Sequence, residues 1–272
     1  MDRLSLNSII LDNKALVKAN KKSRYVFDGE KSDINSLKIT FERKAISNIL
    51  LVNLKEDFNL ELELFDDSNV VIEGLLDKAN QPLKLEENVA KGAQIFNYFA
   101  DFSSGNAQSN ILINLNGENA GSLFKLASSS VMQDNKTFDV SIIHNTEKTF
   151  GLVDNYGVCK SGGRLVFSGI SHIQKVAKYS ITRQNAKIIV FDKGSDAKAR
   201  PILKIDNNEI EASHGASVGT VNEDQIFYLT SRGINEQMAK KLITLGYLKP
   251  ILEGFSDEEM KEKISQLIER RV

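Results

Sequence analysis

The chain of 272 residues is long enough to bury a sizeable core, either as one large all-β domain or as a core with an appendage. Its 35 Lys and Arg against 36 Asp and Glu leave a formal charge of -1, which excludes a global basic field for nucleic acid or an anionic membrane surface. The single cysteine, Cys159, excludes an intramolecular disulfide framework and any cysteine-only metal site within one chain, and it fits a reducing compartment.

Residues 1–20 read MDRLSLNSIILDNKALVKAN, a short N-terminal segment whose charges interrupt anything like a signal-peptide apolar region. No stretch of the sequence approaches the roughly 20 apolar residues that span a bilayer, so a cytoplasmic protein is expected. From Arg24 onward the dominant signal is period-2 alternation, the mark of half-buried strands. The clearest runs are Phe58 to Leu64, Asn110 to Asn116, Phe138 to Ile142 and Ile202 to Ile205. Shorter strand candidates are Arg24 to Phe27, Leu37 to Phe41, Ile49 to Leu54, Val70 to Leu75, Gln94 to Phe102, Arg164 to Phe167, Ile173 to Ile181 and Lys187 to Phe191. Turn residues punctuate them at Asp28-Gly29, Asp66 to Asn69, Ser103 to Asn106, Asn116-Gly117, Asp154 to Gly157, Ser161 to Gly163 and Asp206 to Asn208. Strands this short and numerous suit a sandwich, a barrel or a stacked β-helix, and no strict sequence repeat forces the solenoid answer.

Near Gln225 the period changes. Ile234, Met238, Leu242 and Leu245 recur at helical spacing, with Asn235 placed to cap the start and Gly246 to close the end. A second helix is expected from Ser256, where Ser256 and Glu259 have capping-box spacing; Met260, Ile264, Leu267 and Ile268 then line one stripe, and Arg270 and Arg271 suit the C-terminal end. Such a helix pair has little apolar material of its own and must pack on the core or on a partner.

The nearest approach to a phosphate loop, Gly157 to Arg164, has Gly163 and Arg164 where Lys and Ser or Thr are required, so it reads as a β-turn and nucleotide hydrolysis is not expected. Cys159 reads as a small hydrophobe near a turn. Ser213 and His214 are adjacent in a strand-like run and point to opposite faces, so they are no base-activated pair. His144, His172 and His214 are dispersed, without the spacing of a closed zinc site. Glu61 and Glu63 alternate with leucines as a solvated strand face. His214 lies in the small-residue run Glu211 to Gly219, which permits close approach of another backbone. It can stand at a contact surface or ligate a metal, while on composition alone a hydrogen-bonded structural histidine is the simpler reading.

The segment from Pro201 to Tyr247 resembles the most recognisable stretch of the SufB/SufD family of iron–sulfur cluster assembly scaffolds. The matching elements are Pro201, Ser213-His214-Gly215-Ala216, Gly219, Asp224 to Leu229, and Ser231-Arg232-Gly233-Ile234, in agreeing order and spacing. Weaker counterparts are His144 to Thr149, Gly163 to Gly169 and Gln184-Asn185, so the likeness covers roughly Phe138 to Val272. It implies a mainly β fold, with a right-handed parallel β-helix-like core over residues 21–228 and a short C-terminal α-helical, ATPase-docking module over 229–272. It implies a partnership as well: SufB and SufD associate through their cores, and each docks a SufC ATPase on its helical end. The N-terminal helical region of larger members is missing here or reduced to about 20 residues.

Particular positions favour the SufD side. SufB-like proteins carry a cysteine where this chain aligns Ala186, and tend to have a glutamate after the histidine, where Gly215 stands. By the same resemblance His214 becomes a candidate iron ligand or interface residue, in a site completed by another chain, because thiolates are the usual cluster ligands and this chain has only one. The expectation is therefore a non-catalytic subunit that holds no cofactor stably alone, with iron or an Fe–S cluster passing transiently at a shared interface. Ser231, Arg232, Gly233, Ile234, Met238 and Leu242 would meet the SufC-like ATPase. The partner of the core would be a SufB-like paralogue, and a homodimer in isolation uses the same surface. Two alternatives are a carbohydrate-active β-helix enzyme, with acids and bases converging in an outer groove, and a self-pairing SufB-like scaffold.

Overall fold

The computed structural model describes residues 3–19 and 22–271. Among them, seventeen strands form two parallel sheets, and consecutive strands alternate between the sheets. The nine-stranded sheet contains, in spatial order, β1 (Arg3–Ser5), β3 (Ser23–Asp28), β5 (Ile46–Val52), β7 (Asn69–Leu76), β9 (Gln94–Asp101), β11 (Gly121–Val131), β13 (Phe150–Lys160), β15 (Ile181–Val190) and β17 (Glu211–Thr220). The eight-stranded sheet contains β2 (Lys14–Val17), β4 (Ser36–Phe41), β6 (Asn59–Leu64), β8 (Lys84–Val89), β10 (Asn106–Leu115), β12 (Asn135–His144), β14 (Arg164–Ile173) and β16 (Asp196–Ile205). Each coil thus gives one strand to each sheet, and the whole is a parallel β-solenoid, as the family likeness implied.

Parallel pairing stacks like positions of successive coils on one face. Along β6, Leu60, Leu62 and Leu64 turn inward while Glu61 and Glu63 stay outside with Lys38, which is what the alternation of leucine and glutamate dictates. Aromatic pairs fill the interior at intervals: Phe27 with Phe58, Phe99 with Phe124, and Phe138 with Phe167, at centroid separations of 5.3, 5.6 and 5.9 Å. At one corner of each coil a residue takes a left-handed conformation: Lys44, Asp67, Gly92, Asn119, Lys148 and Tyr179, with φ between 57° and 67°. The coil also lengthens, from 24 residues where Ser23 lies beside Ser47 to 32 where Arg164 lies beside Asp196, so the repeat has no fixed period to detect.

The structure corrects four local readings. Asp154 to Gly157 is no turn but the middle of β13, with Asn155 turned inward. The expected strand from Ile173 to Ile181 is mostly the corner between β14 and β15. Gly246 does not end its helix: α2 runs Glu236–Leu248 and passes into a 3-10 turn at Lys249–Gly254. Ser256 does not cap α3 (Glu258–Arg271): its hydroxyl bonds Glu73, and Asp257 Oδ1 accepts the Met260 amide at 3.2 Å.

The helices lie on the outer face of the nine-stranded sheet. Following α1 (Glu223–Ser231), α2 starts at an Asn235 cap that accepts the Met238 amide at 2.8 Å. Tyr247 then meets Tyr156 of β13 edge-on at 5.8 Å. The chain next crosses β9, where a Cβ on Gly254 would stand 2.0 Å from the Tyr98 ring, so only glycine fits this approach. Asp257 reaches Arg24 at 3.3 Å, and α3 returns toward β11, ending with Arg271 bound to Ser129 and Asp134. Leu248, Ile251, Phe255, Ile264 and Ile268 close over Leu50, Leu75, Ala100, Phe102 and Val158 in a second apolar cluster. Beside it, Lys136 and Asp101 form a fully buried pair at 2.7 Å, which Ser128 Oγ supports by donating to the same carboxylate.

Candidate functional site: the open end of the coil and the free helix

The solenoid ends in two edge strands, β16 and β17, with no further coil above them among the described residues. Their edges differ. The amide of Asp196 donates to Gly163 and that of Asp206 to Ile173, so in β16 the even-numbered amides face β14 and the odd-numbered ones face the open edge. Pro201 falls on the open side: its missing N–H costs no ladder bond, and it blunts this edge against another strand. Lys198, Arg200 and Lys204 add charge along the same strand. In β17 the amide of Glu211 donates to Ser180, so by the same alternation Ala212, His214, Ala216 and Val218 hold their N–H groups toward the open edge. From Ala212 to Thr220 this strand carries neither proline nor a carboxylate, lysine or arginine, and every residue from Ser213 to Thr220 is exposed.

His214 is therefore an exposed residue on an unprotected edge strand. The register adds that it lies beside Gln184, as Ala216 lies beside Ala186 and Val218 beside Ile188. Gln184, Ala186 and Ile188 are buried, 4%, 6% and 2% exposed, so this row is the one that faces the coil interior. His214 thus stands over the mouth of the coil and not on its outer wall. Ala186, the position where SufB-like proteins carry cysteine, faces the same interior and offers only a methyl group.

The other sequence candidates are accounted for individually. His144 is buried inside the coil, its Nδ1 2.7 Å from Thr149 Oγ1, and burial with a smaller effect of His172 pulls its pKa down to about 4. His172 pairs on the outer face with Asp206 at 2.7 Å. Cys159 lies inside near Gly163 O at 3.0 Å, and burial pushes its thiol up to about 11, far from a reactive thiolate. The three histidines and the cysteine are thus not brought together, and no group of three or more metal-ligating side chains occurs among the described residues. The acids of the outer eight-stranded face are tied locally, Glu61 to Lys38 and Asp139 to Ser141 and Ser168, without the convergence a sugar-cleaving groove requires.

A second exposed region surrounds α1, which buries none of its residues and packs on α2. A cleft of about 600 Å³ opens on one side, lined by Ile189, Tyr228, Leu229, Ile243 and Tyr247, and one of about 880 Å³ on the other, with Phe191, Ile226 and Phe227. Phe227 is 74% exposed and Tyr228 57%, far more than a self-contained helix would leave in water. Of the residues singled out in the sequence, Ser231 ends α1 and Arg232 stacks on Tyr228 at 5.4 Å. Gly233 makes the turn at φ 85°, Ile234 is half-buried, and Met238 and Leu242 are exposed on α2. They form one surface at the α1–α2 junction. Phe227 and Tyr228 belong to it as well; their signal was the pair of aromatics on a helix too short to bury them.

The fold and its exposed end define a class: a two-sheet parallel β-solenoid with an open terminal coil and a C-terminal helical appendage. Residues 70–247 match the family model described as SUF system FeS cluster assembly, SufBD core domain, and the chain belongs to that family. It is 32% identical over 140 residues to the iron–sulfur cluster assembly protein SufD of Bacillus subtilis (strain 168), covering 52% of this chain and 32% of that protein. It is 31% identical over 109 residues to an iron–sulfur cluster assembly SufBD family protein of Staphylococcus aureus (strain USA300), covering 40% of this chain and 23% of that protein. The matched part thus spans about a third or less of these relatives. Within the family the chain is SufD-like, and among its described residues no helix is long and apolar enough to cross a membrane.

Proposed function

We propose that this protein is a non-catalytic, cytoplasmic scaffold subunit that joins a SufB-like paralogue through its open coil end and docks a SufC-type ATPase on α1 and the start of α2. The observation that carries this reading is β17, a ten-residue terminal strand whose edge amides are unpaired, uncharged and unblocked, and which bears His214. A second chain adding a strand there satisfies those amides, and the alanines and glycines of β17 let its backbone come close. His214 then lies at the seam, where a neutral imidazole can serve iron as one ligand while thiolates come from the other chain. Iron or a cluster is cargo at this shared place, held by two subunits together. The apolar junction around Phe227, Met238 and Leu242 suits the ATPase, and α3, committed to the core seam, anchors the junction to the solenoid.

The test is co-purification of the chain with SufB-like and SufC-type partners, with iron and sulfide measured in the complex. The wild-type chain should carry both partners down, and His214→Ala should keep the partners while losing most of the bound iron. Failure of the wild-type chain to retain either partner would refute the reading.

A further inference from the structure

Gln184 and Asn155 are two amides inside a coil filled elsewhere by Leu, Ile, Val and Phe, and each is 4% exposed. Neither has its hydrogen-bonding capacity met: Gln184 Nε2 and Asn155 Oδ1 are buried without a partner. Buried amides left in this state are costly, so their presence together needs a reason. Both line one small cavity of about 10 Å³, with Pro201 of β16 across from them, which is room for a single water molecule. Such a water bridges the two amides from below. Above Gln184 the next residue in the same inward row is His214, one strand spacing of about 4.8 Å away. The flanking inward positions are Ala186, Ala212 and Ala216, small enough to leave the imidazole space to lie down over the amide.

We propose that Gln184 is a positioning residue for the His214 imidazole, the upper member of a buried polar layer made by Gln184, Asn155 and one water. An amide can accept from a ring N–H or donate to a bare ring nitrogen, and either bond selects the tautomer and holds the ring plane. The other ring nitrogen then points out of the coil mouth, toward the seam with a second chain. This arrangement is the outer-shell partner of a metal-ligating histidine, and it rests on the reading of His214 as a ligand. It explains why a polar side chain is tolerated in the interior row at this one level: the amide serves the residue above it.

Two measurements on the isolated full chain test this without any metal. In the wild-type protein, proton NMR should show contacts between the Gln184 side-chain amide protons and the His214 ring protons. At a pH where the ring is neutral, its nitrogen shifts should report one dominant tautomer, and Gln184→Leu should turn that into a mixture. Absent contacts, or ring shifts identical in the wild type and Gln184→Leu, would overturn the proposal; the wild-type contacts decide the matter even if the variant does not fold. Iron(II) titration is the separate arm: with the contacts present, Gln184→Leu should weaken binding about 10-fold to 100-fold. Contacts without any wild-type iron binding would support Gln184 as the positioning group while removing iron from the reading of His214.

Discussion

Glu87 faces the coil interior and is fully buried, its carboxyl pushed up to about 8 by desolvation, against the smaller opposing effects of Asn97 and Ser122. A carboxyl raised in the folded state binds a proton that the unfolded chain has already released. Its effect is therefore absent below the ordinary value of 4.5, and stability falls as pH rises from there through 8. The loss is on the order of several kcal/mol by pH 8, and Glu87→Gln, neutral at every pH, should melt higher than wild type at pH 8 and equally at pH 4. His144 acts in the opposite sense. Its folded value of about 4 lies below the ordinary 6.5, so stability should decline as pH falls between them, by about 3 kcal/mol at the lower end. Thermal melts of His144→Gln across that window should be flatter than those of wild type. Neither residue announced its burial in the sequence: Glu87 sits in Lys84 to Val89, a strand with two adjacent glutamates, and His144 was legible only as part of a family-like motif.

Among the elements, the helical module divides into a part tied to the core and a part that is not. The buried residues of α3 are Ile264 and Ile268, two members of the stripe expected from spacing, and the stripe packs on the nine-stranded sheet as a helix pair without a core of its own must. The stripe expected for α2 behaves differently: Met238 and Leu242 are exposed, while Ala239, Thr244 and Leu248 are buried. Spacing shows that a helix has an apolar face but not which neighbour covers it, so the sequence alone could not divide the two. Because Met238 and Leu242 touch water already, Met238→Glu with Leu242→Glu should leave the melting temperature within a degree or two of wild type. The same pair should lower affinity for a SufC-type ATPase by at least about tenfold, since each apolar side chain buried in a contact contributes about 1.5–3 kcal/mol. Calorimetric titration measures this directly, and unchanged affinity would move the docking surface elsewhere.

For the whole molecule, alternation in runs such as Phe58 to Leu64 made a nearly all-β chain legible, and the family-like block around His214 supplied the solenoid. Stacking itself was hidden for physical reasons. The corner that recurs in six coils requires a left-handed residue, yet Lys44, Lys148 and Tyr179 occupy it as well as Asp67, Gly92 and Asn119, so turn chemistry marks only half of it. The coil grows as it rises, which erases the period. β11 and β17 passed unnoticed because Ser128 to Ser130 and the alanines and glycines around His214 have no apolar alternation. What a sequence of small residues does carry is room for another chain, and that became interpretable only when the register placed β17 at the open end.

The account turns on β17 as the joining edge. Ala216 holds its amide on the open side, so Ala216→Pro removes one edge donor while leaving the ladder to β15 intact. Light scattering of the purified chain mixed with its SufB-like paralogue should show a complex for wild type. The Ala216→Pro protein should be equally well folded by circular dichroism, with association weakened at least about tenfold, the loss of roughly 1.4 kcal/mol expected from one edge hydrogen bond. Equal association of the two proteins, or none by wild type, would contradict the account.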